Sequence, residues 1–495
     1  MLGSPSKYLT PILPPYSGPY TVGSVEVEIK APWPAKYDAI GTSVETLLFR
    51  VFYPGKVDEG KKPEHPYWFP GGNREYIKHY IKFLGRSSAL GSVLARIPYV
   101  SDAVLPCLSD VPLLAPPAGK KWPVAVFSHG LGGTRNAYSQ FCGSLASHGQ
   151  VVIVPEHRDM SAPITYVRDF NSKSKQFKPV SYRRMMEVNE TARILRTFQL
   201  VQRVREIVSI LKVLLEQKID LVPLTYLSKP TAAKVDFDWE YVDTSLEKVV
   251  YSGHSFGAAT AVATVKGVHH LLDFLFERQT TAAKSNNTGA EKRPEDIEMS
   301  EIDASDMFLR PQPACALVLL DPWLIPVYQL MAVPLLVPAI ANMSQSFYGW
   351  SSNMKLVYQL LTNSAVPENI RPKPEKVHLF LTKPSVHHSQ SDFALLFPGF
   401  TRYAFKLPEC TFETQTAVMN MNVSGCVEFL REQGIQLYDV SGDKDEGIVL
   451  RESSELEEGV QTLSKGYLVA GGQTKGWSRL DIENDITVVD ILEND

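Results

Sequence analysis

The chain has 495 residues, of which 44% are hydrophobic, 10% aromatic and 21% charged, a composition typical of a globular protein with a large core. Its net charge of −4 and its pI near 6.3 exclude the basic balance of most nucleic-acid-binding proteins. Five widely separated cysteines without a Cys-x-x-Cys pair predict reduced thiols rather than a disulfide framework.

The N-terminal residues 1–17 are rich in proline and serine, and we expect a flexible lead without the apolar segment of a signal peptide. The longest apolar run, residues 324–340, contains three prolines and is too short to span a bilayer. The sequence therefore predicts a cytoplasmic protein whose association with membranes is limited to peripheral contact. No sequence feature defines an oligomeric state.

Alternating apolar residues at 24–29 and a β-rich run at 46–53 predict an antiparallel pair that opens a sheet. Residues 65–118 then mix short helical patterns with prolines. Their apolar side chains fit either a core or a membrane-facing surface.

From residue 123 onward the chain alternates between apolar strands and helices. Strands are predicted at 123–128, 151–155, 249–251, 314–320 and 377–381, and helices at 137–147 and 181–217. Continuous apolar strands separated by helices imply a mostly parallel central sheet that is covered by helices on both faces. The fold class is therefore α/β.

Two segments interrupt this alternation of strands and helices. Residues 277–312 are polar and charged and predict a flexible insertion, whereas residues 441–495 form an acidic C-terminal extension with strand-like pieces at 466–470 and 486–489. We expect one catalytic domain over residues 18–440.

Residues 249–257 combine a β-branched strand with Gly-His-Ser-Phe-Gly, and small residues follow. This pattern predicts a nucleophile elbow, in which Ser255 stands on a tight strand-to-helix turn with its hydroxyl above the sheet. Gly-x-Ser-x-Gly alone also occurs in structural turns, so the flanking strand and helix carry the prediction.

A nucleophilic serine needs a histidine as general base and an acid that orients it, and in this type of fold they follow in the order Ser, Asp, His. Asp321 comes directly after strand 314–320, and its position before a proline favours a loop. Two interpretations fit Asp321, a site residue and a structural turn at the end of the strand. After strand 377–381, His387 and His388 both fit the base, and on an extended loop only one could face Ser255.

The oxyanion of the transition state needs N–H donors. The backbone N–H of Phe256 and that of Leu131, in the glycine-rich loop 129–133, fit this role. A phosphate-binding loop is the alternative, but no Gly-Lys-Ser/Thr follows. No metal-binding motif is present, and we expect neither a metal nor another cofactor.

Four separated motifs resemble the platelet-activating-factor acetylhydrolases, the calcium-independent phospholipases A2 of plasma and intracellular type. They are Ser-His-Gly-Leu-Gly at 128–132, Glu-His-Arg-Asp at 156–159, Gly-His-Ser-Phe-Gly at 253–257 and Ser-Val-His at 385–387. Similar stretches at 18–23 and 68–70 extend the resemblance, with gaps, over about residues 18–400.

The resemblance implies an α/β-hydrolase fold with Ser255 as nucleophile, Asp321 as acid and His387 as base. It also implies Leu131 and Phe256 as the oxyanion donors. Residues 156–159 are interpreted as an ion-paired structural turn. The 66 positions between Ser255 and Asp321 exceed the spacing in the family, and the insertion at 277–312 accounts for this difference.

The predicted activity is hydrolysis of the sn-2 acetyl, short or oxidised acyl ester of phospholipids, through an acyl-enzyme and without a metal. A general carboxylesterase or lipase of the same fold is the first alternative. The second is a catalytically silent module that binds lipid or protein through residues 65–118 or the acidic extension.

Overall fold

A computed structural model describes most of the chain. The described residues are 12–31, 46–57, 60, 64–87, 91–92, 94–96, 101–170, 177–185, 190–224, 233–272, 308–372, 376–438, 449–451, 467–470 and 474–479. The predicted insertion at 277–312 lies outside this part of the chain, apart from residues 308–312.

The structure describes fourteen strands, twelve of which form one sheet. The strands are β1 (Val22–Lys30), β2 (Thr46–Pro54), β3 (Leu108–Ser109), β4 (Val124–Ser128), β5 (Val151–Pro155), β6 (Ile164–Arg168), β7 (Phe177–Ser181), β8 (Val250–His254), β9 (Ala316–Leu320), β10 (Ala339–Ser344), β11 (Val377–Thr382), β12 (Val449–Arg451), β13 (Tyr467–Ala470) and β14 (Thr474–Arg479). The order in the sheet is β12-β13-β14-β11-β10-β9-β8-β4-β5-β2-β1-β3, and β6 and β7 form a separate pair.

The centre of the sheet is parallel, from β5 through β4, β8, β9 and β10 to β11. Antiparallel strands extend it on both sides, with β2 next to β5 and β14 next to β11. The helices are α1 (Glu75–Phe83), α2 (Ser139–Ser147), α3 (Glu190–Leu211), α4 (Phe256–Lys266), α5 (Gln345–Tyr348), α6 (Ser351–Thr362), α7 (Asp392–Leu396), α8 (Pro398–Ala404) and α9 (Phe412–Glu432).

Successive side chains of a strand point to opposite faces of the sheet. Both faces are buried, each in its own hydrophobic core. Val124 and Val126 of β4 join one hydrophobic core with α3, α4 and α6. Ala125 and Phe127 of the same strand join a second core with α2 and α9. The predicted α/β-hydrolase fold, with helices on both faces of a mostly parallel sheet, is confirmed.

The predicted antiparallel pair is confirmed, since β1 and β2 pair over nine residues each. The predicted helix 181–217 is wrong at its start: residues 177–181 form β7, and α3 begins at Glu190. Residue 181 is the last residue of β7, which pairs with β6, and residues 182–185 form no helix.

The irregular segment at 65–118 contributes mainly to the core. Its residues Trp68, Phe69, Tyr76, Ile77 and Tyr80 are all buried. Among the described residues, no helix combines the length and the apolar character needed to cross a membrane.

The two ends of the chain differ in part from their predictions. In the predicted lead, residues 12–17 form neither helix nor strand, but Leu13 is buried in the second core. In the extension, the piece at 466–470 corresponds to β13, while β14 had no predicted counterpart and pairs with β11. The piece at 486–489 lies outside the described residues.

Lys266, the last residue of α4, is 2% exposed and donates hydrogen bonds from Nζ to the carbonyl oxygens of Leu330 at 3.0 Å and Val333 at 2.7 Å. Burial lowers the pKa of Lys266 from 10.5 to about 7. Between these two pH values the unfolded chain binds a proton that the folded chain does not.

We expect this difference to make the free energy of unfolding rise with pH above about 7, by at most about 1.4 kcal/mol per pH unit. Lys266→Met removes the titrating group and should flatten the rise between pH 7.5 and 9, measured by urea unfolding. Equal slopes in the parent and the variant would contradict this expectation.

Candidate active site

Ser255 occupies the tight turn between β8 and α4, as the elbow motif predicts. Its backbone has φ 57° and ψ −120°, a conformation that non-glycine residues adopt rarely and at a cost of about 1–3 kcal/mol. The glycines on either side make the turn sterically feasible. A Cβ on Gly253 would overlap the backbone of Gly257, and a Cβ on Gly257 would overlap the carbonyl of Ser128.

Gly257→Ala is therefore expected to lower the free energy of unfolding by about 3 kcal/mol, or to prevent folding, because the sheet and α4 cannot separate without losing their packing. Gly399→Ala in α8 is the matched control, since nothing lies within 4 Å of a Cβ at that position. Thermal and urea unfolding should place the control within about 0.5 kcal/mol of the parent. Similar losses in both variants would contradict the steric explanation.

Asp321 and His387 lie in hydrogen-bond contact. The Asp321 carboxylate is fully buried where β9 ends, on a residue with φ 41°. It accepts hydrogen bonds from His387 Nδ1 at 3.0 Å and from the backbone N–H and Oγ of Ser344 at 2.5 and 2.6 Å. With the proton on Nδ1, the Nε2 atom of His387 is left as the acceptor that a general base needs.

Ser344 is a site residue that the sequence analysis missed. It ends β10, a strand hidden in the sequence because its first two residues belong to the proline-interrupted apolar run 324–340. Its neighbour in space, Asp321, is 23 positions away along the chain. The parallel register of β9 and β10 brings the two together, and a polar residue at the end of an apolar strand was the available signal.

The two adjacent histidines have different surroundings. They lie in a short 3-10 helix at His387–Gln390, not on the extended loop that the sequence analysis assumed, and their rings are nearly perpendicular. His387 is stacked on Phe347, with ring centroids 4.3 Å apart. His388 is stacked on Phe405, and burial lowers its pKa to about 3.

His254, which precedes Ser255, lies against His387 with ring centroids 4.3 Å apart. The hydroxyl of Tyr138 accepts the backbone N–H of Gly130 and lies 2.8 Å from Nδ1 of His254. Burial and the neighbouring His387 hold the pKa of His254 well below its usual range, so this ring stays neutral. Tyr138 and His254 therefore connect the loop after β4 to His387.

The loop 129–133 lies beside Ser255, since a Cβ on Gly130 would lie 3.1 Å from the Cβ of Ser255. Gly132, with φ 73°, donates its N–H to the carbonyl of Ser161. Within the described part of the chain, the N–H groups of Leu131 and Phe256 have no hydrogen-bond acceptor. Both groups are thus available to an oxygen bound at Ser255.

A pocket opens above these groups. Ser255, His254 and His387 form part of its wall. The remaining wall is largely aromatic and aliphatic, with contributions from Tyr80, Phe83, Leu84, Leu131, Phe393 and Phe400. This mixture of a few polar groups and many apolar ones is typical of sites for small ligands.

The block at 156–159 forms the ion-paired turn that the sequence analysis predicted. Its four side chains contact acidic or basic side chains from other elements. These pairs are Glu156–Arg135, His157–Glu206, Arg158–Glu28 and Asp159–Arg203, at 2.9, 2.7, 2.5 and 2.7 Å. Burial raises the pKa of Glu206 to about 8 and lowers that of His157.

One group of three side chains in the described part of the chain has donor atoms close enough to hold a cation. These are His254, Asp321 and His387, whose donor atoms lie within 4.8 Å of one another. The group shares two members with the Asp–His pair, and Nδ1 of His387 is already occupied by the carboxylate.

Residues 6–276 and 305–449 match the model of the family described as platelet-activating factor acetylhydrolase, isoform II. The match covers well over half of the chain. The chain belongs to this family. Membership confirms the predicted enzyme class, a carboxylic ester hydrolase, and the resemblance on which that prediction was based.

Two groups of sequence relatives agree with this family assignment. A Schizosaccharomyces pombe protein provisionally named a phospholipase A2 is 28% identical, over 88% of this chain and 94% of that protein. Platelet-activating factor acetylhydrolases of Gallus gallus and Bos taurus are 31% and 32% identical, each over 51% of this chain, and the matches span about half of those proteins, 56% and 52%. Among solved structures, a ferulic acid esterase from Streptomyces cinnamoneus aligns over 85% of this chain and 92% of its own, with a TM-score of 0.43 and 13% identity.

Proposed function

We propose that the chain hydrolyses the sn-2 ester of phospholipids that carry an acetyl, short or oxidised acyl group. Ser255 is the nucleophile, His387 the general base and Asp321 the acid that orients it. The observation that carries this proposal is the hydrogen bond between His387 Nδ1 and the buried Asp321, beside a serine held on a strained elbow. Family membership supports a phospholipid as the substrate.

In the first half-reaction, Ser255 Oγ attacks the acyl carbonyl carbon while His387 Nε2 takes the hydroxyl proton. The negative charge that develops on the carbonyl oxygen is stabilised by the N–H groups of Leu131 and Phe256. The imidazolium then gives its proton to the departing glycerol oxygen, and a lysophospholipid leaves. Asp321 holds the ring and offsets its transient charge without itself taking a proton.

In the second half-reaction, water attacks the acyl-enzyme, His387 takes a proton from it, and the acid is released as Ser255 regains its hydrogen. Every proton transfer in this scheme uses an atom of His387. No step in this scheme requires a metal ion.

The kinetic test is an acyl-length series of 1-alkyl-2-acylglycerophosphocholines, from acetyl to palmitoyl, with an aryl acetate for comparison. We expect kcat/KM to fall as the acyl chain lengthens. Faster hydrolysis of long chains would favour the general lipase. Cleavage of the aryl ester alone would favour the carboxylesterase, and failure to react with a fluorophosphonate would favour the silent binding module.

We also propose that the pocket mouth contacts a phospholipid surface through α8. In this helix Phe400 is 44% exposed and lines the pocket, and Tyr403 is 89% exposed. The exposed Arg402 precedes Tyr403 in the same helix and suits the phosphate groups of a membrane surface. An exposed aromatic side chain next to a cation is typical of interfacial helices.

Tyr403→Ser is expected to slow hydrolysis of a vesicle-borne ester about fivefold while leaving the rate on a soluble aryl acetate within twofold, because only the first substrate requires surface binding. Leu336→Ser is the control. Leu336 is 67% exposed but lies just before the first residue of β10. It is therefore at the amino ends of the parallel strands, whereas the site is at their carboxyl ends. Equal effects of the two variants on vesicles would argue against α8 as the contact.

A further inference from the structure

The helix α3 places a charged side chain in the interior of the protein. Arg203 is fully buried, and its Nε donates to the equally buried carboxylate of Asp159 at 2.7 Å. Asp159 belongs to the ion-paired block after β5. The mechanism proposed above assigns no role to either residue.

The guanidinium group is connected to the glycine-rich loop on both sides of Leu131, directly on one side and through Ser161 on the other. Before Leu131, Nη1 donates to the carbonyl oxygen of His129 at 2.7 Å. After it, Gly132 donates its N–H to the carbonyl of Ser161 at 2.8 Å, and the hydroxyl of Ser161 accepts from Nη2 of Arg203 at 2.6 Å. Asp159 completes the arrangement by accepting the backbone N–H of Ser161 at 3.1 Å.

The same guanidinium group also lies against the first turns of α4. Its central carbon is 4.6 Å from the centroid of the Phe256 ring, a cation–π arrangement. Nη1 is 3.4 Å from the hydroxyl of Thr260, one turn further along the helix. One side chain therefore contacts both the loop that contains Leu131 and the helix that begins at Phe256, the two residues whose N–H groups have no acceptor within the described part of the chain.

We infer that Arg203, held in place by Asp159, is a positioning residue that sets the distance and orientation between the Leu131 and Phe256 N–H groups. The inference rests on the proposed function, in which these two groups stabilise the oxyanion. Such donors lower the barrier only when they are fixed before the reaction begins. The planar guanidinium group of arginine holds its N–H donors in fixed directions on separate nitrogen atoms, whereas the three donors of a lysine ammonium group rotate about a single nitrogen.

Arg203→Lys keeps the positive charge but removes the planar set of N–H donors. We expect kcat on an aryl acetate to fall about 10- to 100-fold, with KM within about threefold, because the donors act on the transition state and not on the bound ester. The inhibition constant of a trifluoromethyl ketone should rise by a similar factor, since its hemiketal oxygen occupies the same position. Titration of active sites with a fluorophosphonate corrects for any inactive fraction.

Arg158→Lys is the matched control from the same block. Arg158 is 2% exposed, pairs with Glu28 and donates to the carbonyl oxygens of Thr46 and Tyr166, all outside the glycine-rich loop. We expect this variant to lose stability as Arg203→Lys does but to keep kcat within about threefold. If Arg203→Lys fails to fold, Asp159→Asn replaces it, with the same expected direction in kcat and ketone inhibition.

Unchanged kcat and ketone inhibition in the Arg203 or Asp159 variant would overturn the inference, as would an equal loss of kcat in Arg158→Lys. These outcomes would leave the proposed function intact. Hydrolysis by Ser255→Ala at the parent rate would instead remove the proposed function and this inference together.

Discussion

Replacement of Ser255 with alanine is expected to lower kcat for an aryl acetate about a million-fold, because loss of the nucleophile disables the whole Ser-His-Asp unit. The alanine keeps the Cβ atom and the backbone with φ 57°, so the substitution removes little besides the hydroxyl. Folding should be retained. Burst kinetics in the parent and their absence in the variant would report on the acyl-enzyme directly.

A contaminating esterase would obscure so large an effect. The control is therefore stoichiometric labelling by a fluorophosphonate, which should add one group to the parent at Ser255 and none to the variant. Residual turnover within about tenfold of the parent would contradict the assignment of the nucleophile.

Replacement of His387 with alanine should be nearly as damaging, at about a million-fold in kcat, since without a base the serine hydroxyl stays protonated. The adjacent His388→Ala is the matched comparison, expected to change kcat by less than about tenfold. His388 lies on Phe405 with its Nδ1 unpartnered among the described residues, whereas His387 bonds the buried Asp321. The measurement is the steady-state kcat of both variants for hydrolysis of the same ester.

The reverse order of effects, with His388→Ala the more damaging, would show that the resemblance identifies the wrong histidine. Equal losses would point to a general disturbance of the 3-10 helix that carries both residues. Circular dichroism and thermal unfolding of the two variants separate that case from a loss of chemistry.

The sequence predicted those parts of the site that depend on short spacing. Gly253 and Gly257 mark the elbow because each permits a backbone approach that a side chain would block. Asp321 follows an apolar strand directly, and parallel strands bring their carboxyl ends to one edge of the sheet. The order of strands along the chain was thus enough to bring Ser255 and Asp321 near each other.

The parts that the sequence did not predict depend on contacts between distant segments. The contact of Ser344 with Asp321 follows only once β10 lies beside β9, and its one local signal was a polar residue at the end of an apolar stretch. The apolar run that leads into β10 contains three prolines. The burial of charged side chains in α3 could not be predicted for a different reason. Arginine and glutamate on a helix usually indicate a solvated face, yet Arg203 and Glu206 are buried because they meet the polar block after β5.

The reaction proposed for Ser255 with phospholipid esters needs no metal ion. Its most direct test is the release of acetate from 1-alkyl-2-acetylglycerophosphocholine in excess chelator, by the parent and by Ser255→Ala. We predict that the parent keeps its full rate with chelator and that the variant releases no acetate above the blank. Loss of the parent's activity on chelation, or acetate release by the variant, would contradict the account.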